Sequence, residues 1–249
     1  MPRTDQKRYL VVDTEEAIYD IRFNHFQIEI TGRCNMRCQH CRGADQTRKD
    51  MPVDQIVKII RFARQFSTAE NEVIISGGEP LMHRDFPNVL QSVRANEVDF
   101  VTLTTNGSLF TEEHLALIQR LAFKGCFLSV SLDSTNPEEH NQFRGHHKAF
   151  SRADEALRLI TRCRIPGVSG SIRSSIRASQ MDEMEKLVQY AQMVGCESIG
   201  FSAIQPAGRA LNREDLWMSR EQKQEFLLRV NQLGEKYPGI QVGSTDPLQ

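Results

Sequence analysis

Residues 26–31, Phe-Gln-Ile-Glu-Ile-Thr, alternate apolar and polar side chains with the period of two that marks a strand. Apolar residues then recur at helical spacing over 53–66, so the first unit is strand, loop, helix. The same alternation of periods continues along the chain. Strands are predicted over 72–76, 100–105, 126–132, 172–176 and 198–204, and helices over 86–96, 111–123, 150–163, 181–194 and 219–237. Thr111 is placed to cap the third helix, and the last helix ends before Pro238-Gly239. Six strand–helix units imply parallel strands joined by right-handed crossovers, hence an α/β fold built as an open barrel or a doubly wound sheet. The count falls short of the eight of a closed barrel. Ahead of this core, Tyr9-Leu10-Val11-Val12 and Ala17-Ile18-Tyr19-Asp20-Ile21 predict a small hairpin. The expected division is an N-terminal extension over 1–22 and a core over 23–249.

Composition narrows the class. A chain of 249 residues with 39% hydrophobic content supports one large α/β domain. Lys+Arg 31 against Asp+Glu 32 leaves a formal charge of −1, so nothing global favours nucleic acid or an anionic membrane. The N-terminus, Met-Pro-Arg-Thr-Asp-Gln-Lys-Arg, has no signal-peptide apolar run, and no stretch reaches the length of a membrane-spanning helix, so a cytoplasmic protein is expected. Six cysteines, three of them clustered, read as metal ligands in a reducing compartment rather than as a disulfide framework.

The clustered three are Cys34, Cys38 and Cys41, in one short loop after the first strand. Thiolates are soft donors suited to iron–sulfur clusters, and three of them on a four-iron cluster leave one iron open to a small molecule. The same triplet with His40 is a candidate zinc site, although a histidine adjacent to Cys41 closes a tetrahedron awkwardly. In folds of this kind ligands bind beyond the carboxyl ends of the strands. Four loops there carry the informative residues: the cysteine loop, Gly77-Gly78-Glu79-Pro80, Thr104-Thr105-Asn106-Gly107, and Ser129-Val130-Ser131-Leu132-Asp133. Topology predicts that they meet.

The Cys-x-x-x-Cys-x-x-Cys spacing, followed by Gly-Gly-Glu-Pro after the next strand, resembles the radical S-adenosylmethionine (radical SAM) enzymes from about residue 26 to about residue 210. The resemblance implies a partial (β/α)6 TIM-like barrel, open on one side, holding a [4Fe-4S] cluster and S-adenosyl-L-methionine. It implies that Cys34, Cys38 and Cys41 hold the cluster and that the cofactor's amino and carboxylate groups chelate the fourth iron. Reductive cleavage of the cofactor then gives a 5′-deoxyadenosyl radical that abstracts hydrogen from substrate, chemistry that belongs to the cofactor. His40 stands where the family usually has an aromatic near the adenine. Gly77, Gly78, Glu79 and Pro80 match the motif receiving the amino group, where glycines admit close backbone approach. Ser131 and Arg144 resemble positions that hold ribose and carboxylate, and Gln205 aligns with a further cofactor contact. Thr104, Asn106, Arg173 and Arg177 are candidates to face cofactor or substrate, and no residue is assigned a catalytic step.

Each motif also has a plainer reading. Gly77-Gly78 and Thr104-Thr105-Asn106-Gly107 are good turn sequences in their own right. Ser131 reads equally as a strand-end hydroxyl, Asp133 as a turn or cap residue, and Arg144 as a solvated loop charge. Cys126, Cys163 and Cys196 read as buried structural thiols. The pattern Ser-Leu-Asp, His140-x-x-x-Arg144-Gly145 and Pro206-Ala207-Gly208-Arg209-Ala210 is similar to the SPASM/twitch subgroup, whose cysteine-rich C-terminal extension carries auxiliary clusters. No cysteine follows Arg209, and the sequence ends at Thr245-Asp246-Pro247-Leu248-Gln249, near where such an extension would begin, so the expectation is either a truncated or naturally short form of such a protein or a member without auxiliary clusters. The segment before the first strand is expected to be too short for the leader-peptide recognition domain of some peptide maturases. The resemblance therefore implies a radical SAM oxidoreductase or maturase, with a peptide as the leading substrate and heme precursors, nucleotides or small metabolites as alternatives. A reductant such as flavodoxin or ferredoxin is the implied partner. An iron–sulfur electron-transfer or binding module without cofactor cleavage is the alternative of another class; a pure carrier gains nothing from Gly-Gly-Glu-Pro.

Overall fold

The computed structural model describes residues 9–43 and 49–244. The N-terminal run Met1 to Arg8 and the C-terminal run Thr245 to Gln249, on which sequence expectations were placed, lie outside the described residues. An antiparallel hairpin comes first, β1 (Leu10–Asp13) against β2 (Ile18–Ile21), with Thr14 N donating to Ala17 O at 2.9 Å across the turn. The core then runs β3 (Phe23–Glu29), α1 (Val53–Arg64), β4 (Ser67–Ser76), α2 (Phe86–Ala95), β5 (Phe100–Thr105), α3 (Glu112–Leu121) and β6 (Gly125–Ser131). It continues with α4 (Pro137–Arg144), α5 (Ala149–Cys163), β7 (Val168–Ile176), α6 (Glu183–Val194), β8 (Ser198–Ala203), α7 (Arg220–Lys236) and β9 (Gln241–Ser244).

All seven strands β3 to β9 are parallel, and their spatial order is their chain order. A doubly wound sheet reverses its order at a switch point, so this sequential order makes the sheet a curled half-barrel. The expectation of six strands is corrected to seven. The missed strand β9 is four residues long with Val242 as its one large apolar side chain, too little for a periodic signal. The missed helix α4 did leave a trace: Asn136 caps it by accepting from Glu138 N at 2.9 Å, Pro137 opens it, and Gly145 ends it at φ 64°.

Burial along β5 and β8 alternates residue by residue, so one sheet face is packed and the other is open to the barrel interior. The packed face presents Val73, Ile75, Val101, Leu103, Leu128, Val130, Ile172, Ile199 and Phe201 to helix residues such as Ile56, Ile60, Leu90, Ile118, Leu157, Leu187 and Phe226. Each such side chain taken from water contributes about 1.5–3 kcal/mol, so the core lies outside the barrel wall and leaves the interior for chemistry. Of the three cysteines expected to be buried, Cys126 and Cys196 are; Cys163, at the C-terminus of α5, is exposed, because the helix ends there at the solvent. Among the described residues no helix is long and apolar enough to cross a membrane.

Candidate functional site

At the carboxyl ends of the strands lies a cavity of about 560 Å³. Cys34, Cys38 and Cys41 line it together with His40, Gly77, Gly78, Asn106, Ser131, Arg144 and Gln205, so the four loops do meet. Thr104 and Arg173 line it as well. Three candidates are placed elsewhere: Glu79, Pro80 and Arg177 are not on its wall.

The cysteine loop is fastened by backbone hydrogen bonds on two sides. Gly78 N donates to Thr31 O at 2.8 Å and Glu79 N to Arg33 O at 2.7 Å; on the other side Arg37 N donates to Arg144 O at 3.1 Å and Gln39 N to Phe143 O at 2.9 Å. Such close docking requires the two glycines. A Cβ on Gly77 would stand 2.4 Å from Thr31 O, and one on Gly78 2.3 Å from Arg33 O. Gly78→Ala should therefore push the cysteine loop away, costing about 1–3 kcal/mol as an overpacked contact. Thermal denaturation and iron content of the reconstituted protein check this; an unshifted midpoint with full iron would refute it.

Glu79 is fully buried and works as a staple between loops. Its Oε1 accepts from Leu81 N at 3.2 Å and Thr105 Oγ1 at 2.7 Å, and its Oε2 accepts from Asn106 N at 2.7 Å. Burial pushes its carboxyl up while these donors pull the other way. The Glu79 carboxylate is thus hydrogen-bonded within the protein, and Gly77 and Gly78 are the members of the motif that line the cavity. Asn106 brackets the cysteine loop, its Nδ2 donating to Asn35 Oδ1 at 3.0 Å.

Arg144 is buried, not solvated, because α4 carries it inward. Its Nε and Nη2 hold both oxygens of Asp133 at 2.6 and 2.9 Å, and Nη1 points to Cys38 Sγ at 3.8 Å. The carboxylate fork expected for a cofactor is therefore occupied by Asp133, leaving Nη1 for the cavity. Asp133 also accepts from Ser175 N at 2.8 Å, so it joins β7 to α4 rather than capping a turn. Burial would raise the Asp133 carboxyl, but the adjacent guanidinium outweighs it and holds the group down at about 2.

His40 stacks on Phe143 with centroids 4.6 Å apart, and the Arg177 guanidinium carbon lies 4.7 Å from the centre of the same ring. Arg177 Nε donates to Gln180 Oε1 at 2.8 Å, which keeps it off the cavity wall. Burial, then Arg144, pull the His40 imidazole down to about 4, so it is neutral near pH 7. Its Nδ1 is buried without a hydrogen-bond partner, an arrangement that costs about 1–3 kcal/mol until a ligand edge satisfies it.

The residues fit an iron–sulfur cluster with an organic co-ligand. Three soft donors share one wall, burial pushes the Cys34 thiol up to about 11 and raises Cys38 as well, and metal binding would release those protons. Among the described residues no three His, Cys, Asp or Glu side chains converge on a single metal ion, which a zinc site requires. Sequence reading missed the concave wall. Gln27, Glu29, Ser76, Thr102, Ser175 and Ser202 line the cavity, and the signal was there as polar residues at alternate positions of buried strands.

Residues 28–191, more than half of the chain, match the family model described as the radical SAM superfamily. A probable GTP 3′,8-cyclase of Methanococcus maripaludis is 31% identical over 131 residues, covering 51% of this chain and 42% of that protein. The antilisterial bacteriocin subtilosin biosynthesis protein AlbA of Bacillus subtilis is 26% identical over 207 residues, covering 82% of this chain and 44% of that protein. Streptococcus suis SuiB bound to precursor peptide SuiA shares the fold with a TM-score of 0.76 at 14% identity, over 92% of this chain and 50% of that one. The chain spans about half the length, or less, of these three relatives. With that match laid over a cysteine loop docked on its glycine cradle, the chain belongs to the radical SAM superfamily, whose members use a [4Fe-4S] cluster and S-adenosylmethionine.

Proposed function

We propose that this chain is the core of a radical SAM enzyme, of the SPASM/twitch type, that abstracts hydrogen from a peptide during its maturation. When bound, the cluster and S-adenosylmethionine supply a 5′-deoxyadenosyl radical. Cys34, Cys38 and Cys41 would hold the cluster, the backbone of Gly77 and Gly78 would approach the methionyl end of the cofactor, and His40 and Ser131 would orient its nucleoside. Arg144 Nη1 would complete the wall beside Cys38, with Asp133 fixing the guanidinium plane.

The observation that carries the substrate class is the chemistry of the concave wall. Gln27, Thr102, Thr104, Ser129, Ser131, Ser175 and Ser202 offer neutral hydrogen-bonding groups, a lining suited to peptide amides and small polar side chains and poorly suited to a flat apolar macrocycle. Polyphosphate recognition calls for several forked or point cations; this wall has Arg42, Arg144 and Arg173, and Arg144 is spent on Asp133. The fold shared with peptide-bound SuiB supports the same reading. An electron-transfer module would leave this polar cavity without a role.

Anaerobic reconstitution with iron and sulfide, followed by reduction in the presence of S-adenosylmethionine, is expected to give a brown protein that releases 5′-deoxyadenosine. Absence of both cluster and nucleoside would overturn the enzyme reading. Faster release with a candidate precursor peptide than with a nucleoside triphosphate or a porphyrin would bear out the substrate class, and the opposite order would overturn it.

A further inference from the structure

The segment after β8 fastens the cysteine loop on a third side. Gly208, at φ 57°, packs so closely on it that a Cβ there would stand 2.2 Å from Cys41 O and 2.5 Å from Arg42 O. The next residue, Arg209, reaches two of the three cysteines: its backbone N donates to Cys41 O at 3.0 Å and its Nη1 donates to Cys38 O at 3.3 Å. The segment is itself anchored from behind. Ala210 is fully buried in a cluster with Phe143, Ile204 and Leu216, and Trp217 Nε1 donates to Ala210 O at 2.8 Å. The backbone of Arg209 is therefore held in place before its side chain makes the second contact.

Cys38 thus lies between two guanidinium groups, with Arg144 Nη1 at 3.8 Å from its Sγ and Arg209 on its carbonyl. Electrically the two are not equivalent. Both oxygens of Asp133 neutralise Arg144, at 2.6 and 2.9 Å, whereas among the described residues no carboxylate forms an ion pair with Arg209. The nearby Arg213 is also cancelled, by Asp215 at 2.7 Å. Arg209 is half-buried, so water screens its charge only in part. An uncompensated positive charge beside a ligand of a redox centre favours the state carrying one more electron, and iron–sulfur potentials follow the charge and hydrogen bonding around their ligands.

We infer that Arg209 is a positioning residue for the cluster that Cys34, Cys38 and Cys41 would hold: it fixes the carbonyls of Cys38 and Cys41 and supplies the uncompensated charge that raises the cluster's reduction potential. The inference rests on the cluster assignment above. Reduction adds one electron from an external reductant and makes or breaks no bond at Arg209, which acts only through its field. The two arginines divide the work. Arg144, spent on Asp133, shapes the cavity wall, and Arg209 sets how readily the electron is accepted.

The test is a redox titration of the full reconstituted chain without S-adenosylmethionine, in which dithionite reduces the cluster through mediators and the reduced form is counted by electron paramagnetic resonance. Arg209→Lys keeps the charge; Arg209→Gln removes it and keeps a side-chain donor for the Cys38 carbonyl. All three proteins are expected to hold the same iron and sulfide. Arg209→Lys should titrate close to wild type. Arg209→Gln should be harder to reduce by about tenfold in the equilibrium constant, or about 59 mV for a one-electron couple, the scale of one charge acting through an effective dielectric of about 20. The gap should narrow as salt is raised, because Arg209 is partly open to solvent. A wild-type potential in Arg209→Gln, or equal shifts in both variants, would overturn the inference. Loss of iron in either variant would overturn it too, by making the side chain a structural clamp only. A wild-type chain that holds no cluster would instead overturn the proposed function on which this role depends.

Discussion

Cys38→Ala is expected to abolish the brown chromophore and the bound iron and sulfide of the reconstituted protein, while Cys163→Ala is expected to leave both intact. The three thiols of the loop line one cavity, whereas Cys163 is exposed at the far end of α5 with no part in the site. Losing an outer partner of a metal ligand typically costs about 10–100-fold in affinity, and losing a ligand itself costs more, so Cys38→Ala should fall below the chromophore's detection limit. Cys34→Ala and Cys41→Ala should behave alike. Among the three, Cys38 has the added contact with Arg144 Nη1, so its removal also leaves that guanidinium arm without its sulfur. A coloured Cys38→Ala protein, or a colourless Cys163→Ala protein, would refute the ligand assignment.

Asp133→Ala is expected to be the most destabilising single substitution near the site. It leaves the Arg144 guanidinium in the interior without the carboxylate that holds two of its nitrogens, and breaking a buried pair in this way costs about 3–5 kcal/mol. The loss reaches further than the pair, since Asp133 also ties the β7 backbone at Ser175. Asp133→Asn keeps the shape and one acceptor and should lose less. The pH dependence follows from the depressed carboxyl. Its folded value is about 2 against an ordinary 3.8, so the stabilisation is fully present above about pH 4 and is lost as pH falls toward 2. Urea midpoints of wild type and Asp133→Asn should therefore converge across that window. A constant gap down to pH 2 would show that the wild-type advantage does not come from the ionised Asp133 carboxylate.

The fold was largely legible because its signals are local. Strand periodicity over 100–105 and helical periodicity over 53–66 each arise within one segment, and the observed β5 (Phe100–Thr105) and α1 (Val53–Arg64) lie within a few residues of those bounds. Failures came where a segment was too short to have a period. The strand β9 carries four residues, and α4 carries eight, with a polar composition that hid its inward face of His140, Phe143 and Arg144. Asn136-Pro137 is a helix-start signal, but no apolar stripe follows it to give a helical period.

The sequence by itself determined the family, the spacing of the three loop cysteines and the order of the strand-end loops, because each is written in neighbouring residues: a spacing, a dipeptide of glycines, an alternation. The tertiary structure decided what the charged residues do. Glu79 meets Thr105 26 positions away, Arg144 meets Asp133 11 positions away and Cys38 106 positions away, and Asp133 meets Ser175 42 positions away. A carboxylate or guanidinium looks the same in sequence whether it faces a ligand or a buried partner. Only the folded chain fixes which partner lies within hydrogen-bond reach, and burial then sets how costly it is to leave that partner unmet.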